Sequence, residues 1–214
     1  MYKYRQLTPK QKAELVEYRL SRGYPPHSPP HLIRDQQFYL LTVACYEHKH
    51  HIQSESRRQQ LLNMIFDKFG TIENNDGSAE ALTTALTTNL TICAWVILPN
   101  HYHLLVQVAN FDILGGLFRR IHGVLSRQWN LEDNITGRKI WYSWSDRAIR
   151  SQRHYYTTLN YIHYNPVKHG FVKSPYDWVE SSVHWYLQAQ GRQWLRDCWV
   201  QYPVQTYGSD WDNF

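Results

Sequence analysis

The chain has 214 residues and a mass of 25.6 kDa, enough for one domain with extended ends and a core that needs neither disulfides nor a structural metal. Hydrophobic residues make up 43% and aromatics 15%, which excludes intrinsic disorder, and at a mean hydropathy of -0.59 no apolar run approaches the roughly 20 residues of a membrane helix. The formal net charge of +5 is unevenly spread: +4 over residues 1–35, -2 over 36–110, +5 over 111–170 and -2 over 171–214. Two basic blocks that also contain aromatics have the composition of a nucleic-acid surface, with cations for phosphates and rings for unstacked bases. A solvated basic face would have the same composition. Cys45, Cys93 and Cys198 are odd in number and far apart, so they fit neither a disulfide framework nor a Cys-x-x-Cys zinc site. The start, Met1 to Gln6, lacks the apolar core of a signal peptide, so a cytoplasmic location is expected.

Thr8-Pro9 predicts a helix start, with Thr as N-cap and Pro at the first helical position, running to about Ser21 before Gly23. Tyr24 to Pro30 is too proline-rich for helix or central strand and reads as an extended arm. Gln37 to Tyr46 reads as a strand, and the apolar stripe 61, 62, 65, 66 and 69 predicts a helix over Arg57–Phe69. Residues 71–88 read as a loop. Leu90–Leu98 and His101–Val108 form a hairpin about a Pro99-Asn100 turn. Ile113–Asn130 is an amphipathic helix carrying Arg119, Arg120 and Arg127 off its apolar face. Lys139–Trp144 reads as a short strand, and Ser151 caps a helix expected to end before Pro166. One more helix falls within Trp178–Trp199, and the last fifteen residues form a tail. The order β-α-β-β-α-β-α predicts an α+β fold, a ferredoxin-like antiparallel sheet with helices packed on it. The expected divisions are an N-terminal helix and proline-rich arm over 1–35, the main domain over 36–185, and a C-terminal helix with an acidic aromatic tail over 186–214.

Two stretches carry chemistry. In His101-Tyr102-His103 side chains alternate, so both imidazoles share one face and can converge on a metal ion, although such a pair can equally be satisfied or solvent-facing. In His154–Val172, helical geometry puts Asn165 about 40° and His154 about 20° from Tyr161, while Tyr155 and Tyr156 lie about 120° and 140° away. Tyr164 is about 60° off on the other side, so only Tyr161 projects alongside both a candidate ligand and a candidate proton acceptor, His154. Aromatic packing is the plainer meaning of such a Tyr-rich helix.

Val96-Ile-Leu-Pro-Asn-His-Tyr-His-Leu-Leu-Val106, then Ile140-Trp-Tyr-Ser-Trp-Ser-Asp-Arg-Ala-Ile-Arg150 and Tyr161-Ile-His-Tyr-Asn-Pro-Val-Lys-His-Gly-Phe-Val172, resemble the REP-associated tyrosine transposases, as does the start Tyr4-Arg-Gln-Leu-Thr-Pro9. These are single-tyrosine HUH nucleases of the insertion-sequence transposase superfamily. The resemblance implies a ferredoxin-like core with helices on one side of the sheet. It implies that Tyr161 is the nucleophile and that His101 and His103 are metal ligands, with Asn165 supplying an oxygen where insertion-sequence relatives carry Gln. The implied activity is cleavage and rejoining of single-stranded DNA beside REP-type hairpins through a 5′-phosphotyrosine. With no thiolate in the set, Mg²⁺ or Mn²⁺ is the expected ion.

Arg119, Arg120, Arg127, Arg147, Arg150, Arg153 and Lys168 are candidate DNA contacts. The expected partner is single-stranded or hairpin DNA, met in a bacterial cytoplasm, with no membrane, by a monomer or homodimer. Two other readings compete with a transposase. One is a catalytically weak, domesticated hairpin-binding protein of the same fold. The other is a small zinc hydrolase built on Cys93, His101 and His103.

Overall fold

A computed structural model describes residues 8–21, 37–69 and 90–209. The proline-rich arm, the loop over 71–88 and the last five residues of the tail lie outside these. Two compact units result, Met1–Arg34 and Asp35–Phe214. The first contributes helix α1, Pro9–Ser21. Its start is a capping box: the Thr8 hydroxyl accepts the Gln11 N–H at 3.3 Å, and the Gln11 side-chain oxygen accepts the Thr8 N–H at 2.9 Å.

The second unit runs β1 (Phe38–Ala44), α2 (Glu55–Phe69), β2 (Leu90–Ile97), β3 (His101–Val108), α3 (Ile113–Glu132), β4 (Ser145–Ala148), α4 (Gln152–Lys168) and α5 (Val183–Gln201). The sheet order is β2-β3-β1-β4, all antiparallel, which is the ferredoxin-like arrangement for a βαββαβ chain. Alternation sorts the strand residues by face. Tyr39, Leu41, Val43, Tyr102, Leu104 and Val106 pack beneath α2 and α3. Leu40, Ala94, Val96, Leu98 and Leu105 pack with Leu159, Tyr161 and Ile162 of α4 and Cys198 of α5. Helices therefore cover both faces rather than one, because β1 to β3 carry apolar residues at both parities and each face needs burial. A fully buried aliphatic side chain contributes about 1.5–3 kcal/mol. No helix among the described residues is long and apolar enough to cross a membrane.

Two expectations shift. The short strand forms at Ser145–Ala148 rather than 139–144. Residues 140–142 make a single bridge beside the end of β1, through Tyr46 N–H to the Ile140 carbonyl (2.6 Å) and Tyr142 N–H to the Ala44 carbonyl (2.9 Å). Trp144 leaves that edge to pack on Phe111 and Phe118. Helix α4 also runs through Pro166 to Lys168. Proline there has no N–H to give the Ile162 carbonyl, and the helix runs on for two residues past it. The helix closes instead at Gly170 (φ 71), with Gly170 N–H on the Val167 carbonyl and Phe171 N–H on the Pro166 carbonyl, a Schellman motif. Helix α5 begins at Val183, inside the Trp178–Trp199 stretch expected to hold a helix, and buries Val183, Leu195 and Cys198.

Candidate active site

The hairpin turn sets the first two groups. Leu98 N–H donates to the His101 carbonyl at 2.8 Å, closing a two-residue loop, so β3 starts on His101. His101 lies opposite Ala44 and His103 opposite Thr42. Both imidazoles are fully buried on the α4 face, with ring centroids 5.0 Å apart. Each is held through Nδ1: His101 by Asn100 Oδ1 at 2.7 Å, and His103 by Thr42 Oγ1 at 2.8 Å. The Asn100 amide donates its Nδ2 to the His48 carbonyl at 3.4 Å, which turns its oxygen toward His101. Nδ1 of His101 therefore carries the proton, and its Nε2 presents a lone pair.

Helix α4 brings the other groups. The Ser151 hydroxyl caps it by accepting the His154 N–H at 3.1 Å, which fixes the register of everything after it. Asn165 Oδ1 sits 3.2 Å from His101 Nε2, and the Tyr161 ring lies 5.3 Å from the His103 ring. Two acceptors facing each other at 3.2 Å fit a cation between them, with both His rings oriented from behind in the manner of metal ligands. No group of three His, Cys, Asp or Glu side chains is set for a metal among the described residues; a third donor beside the His pair would have to be the Asn165 amide oxygen. Two imidazoles and an amide oxygen could hold one divalent ion and would leave coordination positions open.

The competing tyrosines are elsewhere. Tyr155 packs on Phe38, and burial pushes its phenol far up. Tyr156 stacks on Tyr202, and Tyr164 is 45% exposed. Tyr161 is 1% exposed, because Tyr207 and Gly208 lie on it. Gly208 has φ 76, and a Cβ there would sit 2.8 Å from Tyr161 Cζ, so only glycine fits. The Tyr207 hydroxyl bonds Thr158 Oγ1 and His154 Nε2 (3.0 Å), and Lys168 Nζ donates to the Gly208 carbonyl at 2.8 Å. His154 Nδ1 accepts the Arg150 N–H, so its Nε2 carries the proton and donates to Tyr207. Burial, then the charges of Arg147 and Arg150, hold His154 below its usual pKa.

Lys168 Nζ is 5.2 Å from the centre of the Tyr161 ring. Arg147, paired with Leu40 on the same face, is pulled down by desolvation and held up by Tyr207 and Tyr161, which places its charge beside both phenols. Arg150 and Arg153 flank the start of α4 and are exposed. Arg119, Arg120 and Arg127 are also exposed, but on α3, across the sheet from Tyr161. Cys93 does not join the His pair. It sits at the β2 irregularity near Tyr155 and Tyr186, and burial pushes its thiol up to about 11.

Sequence reasoning missed Thr42 and Asn100, and it left open which residues the acidic aromatic tail meets. Asn100 reads as a turn residue, and only the β1–β3 register places Thr42 behind His103. A Gly after a Tyr in a tail carries no signal of what it covers.

No family model matches the chain. It is 35% identical over 94 residues to the REP-associated tyrosine transposase of Escherichia coli (strain K12), covering 44% of this chain and 54% of that protein. It is also 35% identical over 108 residues to the putative REP-associated tyrosine transposase of Haemophilus influenzae (strain ATCC 51907 / DSM 11121 / KW20 / Rd), covering 44% of this chain and 59% of that one. The chain thus matches little more than half the length of these curated relatives. Among solved structures it is similar to a REP-associated tyrosine transposase bound to a REP hairpin, at a TM-score of 0.55 and 22% identity over 77% of this chain and 88% of that one, a likeness of fold. The resemblance carried by the three motif blocks is thus found by sequence comparison as well.

Proposed function

We propose that this relative of the REP-associated tyrosine transposases is a metal-dependent single-stranded DNA endonuclease and strand transferase acting beside hairpin-forming repeats. The observation that carries the reading is the meeting of Tyr161 and Asn165, one helical turn apart, with His103 and His101 on the facing strand (5.3 Å between rings, 3.2 Å between Oδ1 and Nε2). The Tyr161 oxygen attacks the scissile phosphorus. Its bond to phosphorus forms as the bond to the 3′ oxygen breaks, giving a 5′-phosphotyrosine and a 3′-hydroxyl that takes up a proton. The ester is conserved, so attack by a 3′-hydroxyl on the adduct rejoins the strand without ATP.

A phenol titrates near 10, so few molecules are ionised at neutral pH. Lys168 and Arg147 beside the ring favour the phenolate. Held by His101, His103 and Asn165, Mg²⁺ or Mn²⁺ would supply Lewis-acid polarisation of the phosphate. The phenolic proton goes to water; His154, expected as its acceptor, presents an N–H at Nε2 and has its Nδ1 taken by the Arg150 N–H. Because Tyr161 is sealed, the segment bearing Tyr207 and Gly208 has to shift before a phosphate reaches it. That cover favours the second reading, a hairpin-binding protein of the same fold that cleaves little.

The test is a denaturing gel for covalent protein–DNA adducts, with a DNA hairpin flanked by single strands and Mn²⁺. Wild type and Tyr164→Phe form the adduct, and Tyr161→Phe does not. An adduct that survives Tyr161→Phe overturns the assignment. A wild type that binds but never forms one leaves the hairpin-binding reading.

A further inference from the structure

The aromatic rings continue past the His pair. From His103 the row passes to His101 (5.0 Å), His169 (4.9 Å), Phe171 (6.3 Å) and Trp178 (5.5 Å). Tyr161 adjoins the His103 end, so the nucleophile and Phe171 stand on opposite sides of the candidate metal site. The helix explains the order. Tyr161 and Asn165 lie on one α4 stripe that His169, the C-cap residue, continues, and eight residues advance about 12 Å along the axis. Phe171 follows at the position where the Schellman motif fixes the chain.

Phe171 is 36% exposed, yet it is backed by a rigid support. Trp178 donates its Nε1 to the Ile97 carbonyl at 2.9 Å, and the Arg58 guanidinium stacks 4.9 Å from its ring centre. Arg58 is held in turn by Glu180 at 3.0 Å, a carboxylate only 2% exposed, and by the Gln53 carbonyl. A buried ion pair thus braces Trp178, and Trp178 braces an open aromatic face. An exposed ring is ordinary by itself. One fixed in place at the end of a ring row from the reacting centre is a stacking surface.

We propose that Phe171 is the platform for an unpaired DNA base on the leaving-group side of the scissile phosphate, an inference that rests on the tyrosine-nuclease reading. In-line displacement puts the departing 3′ oxygen opposite the attacking tyrosine oxygen. The nucleotide bearing that oxygen therefore extends away from Tyr161, past His101 and His169, toward Phe171. Base–aromatic stacking accepts any base, so the platform sets position rather than sequence. His50, 6.5 Å from Phe171, and exposed Lys173 lie beside the path of the backbone.

The experiment uses the full chain carrying Tyr161→Phe, which leaves the DNA uncut, and two probes: a blunt DNA hairpin and the same hairpin with a single-stranded extension. 2-Aminopurine is placed at each extension position in turn. The extension should tighten binding, and one position should show quenching. Phe171→Ala should lose about 5- to 140-fold of that gain, the range for one base–aromatic stack, with the quenching gone, blunt-hairpin affinity kept and the melting temperature little changed. Phe171→Trp should restore both. If Phe171→Ala keeps the gain and the quenching, the platform is refuted while the nuclease reading stands. If the parent chain gains nothing from the extension and wild type forms no adduct, both fall.

Discussion

Gly208→Ala should switch the candidate site open. The substituted residue would meet two penalties in the closed arrangement. The left-handed backbone at φ 76 costs an L-residue about 1–2 kcal/mol, and the methyl would press on the Tyr161 ring, an overpacking fault of about 1–3 kcal/mol. What holds the segment down is of the same order: burial of the Tyr207 ring, about 1.5–3 kcal/mol, and hydrogen bonds to Thr158, His154 and Lys168 at about 0.5–1.5 kcal/mol each. Closure should weaken by about 2–5 kcal/mol, roughly 30- to 4,000-fold in its equilibrium constant. The core beneath is untouched, so the main thermal transition should stay close to that of wild type. In single-turnover adduct formation with flanked hairpin DNA, the substitution should raise the rate in proportion to the newly open fraction. An unchanged rate in a folded variant would show that the segment is no barrier. A lower rate would show that Tyr207 or Gly208 helps build the site rather than cover it.

Asn100→Ala should lower Mn²⁺ affinity about 10- to 100-fold, read by electron paramagnetic resonance titration, because the His101 tautomer loses its support while all three ligands remain. Removing Arg147, Arg150 and Arg153 together should flatten the log–log salt dependence of hairpin binding by about 2–2.7, while removing Arg119, Arg120 and Arg127 should leave it unchanged, since those lie across the sheet. The reverse result would put the DNA on the α3 face. Burial holds His122 and His163 at about 3, below the unfolded value near 6.5, so unfolding takes up protons between these pH values. Stability is therefore full above pH 6.5 and falls toward pH 3, at up to about 1.4 kcal/mol per pH unit per group. In urea titrations His122→Phe should remove one of the two contributions.

The amino-acid sequence by itself determined the parts of this protein that local periodicity controls. Apolar spacing over 57–69 and 113–130 specified two helices, and alternation over 90–108 specified the hairpin, because a helix or strand buries whichever face its period makes apolar. The same logic placed His101 with His103, and Tyr161 with Asn165, on shared faces. Only the tertiary structure decided what those faces meet. Pairing of Thr42 with His103 and closure of the hairpin at Asn100 are matters of register between strands, which nothing local to either segment encodes. Helix α4 ran through Pro166, where burial of Asn165 and Pro166 and the closing bonds of Gly170 and Phe171 override the local preference of the dipeptide. The sorting of the arginines between two layers, the brace behind Phe171 and the Gly208 cover on Tyr161 all join residues distant along the chain. Such contacts depend on how the sheet folds the chain back on itself, so they became visible only once that folding was complete.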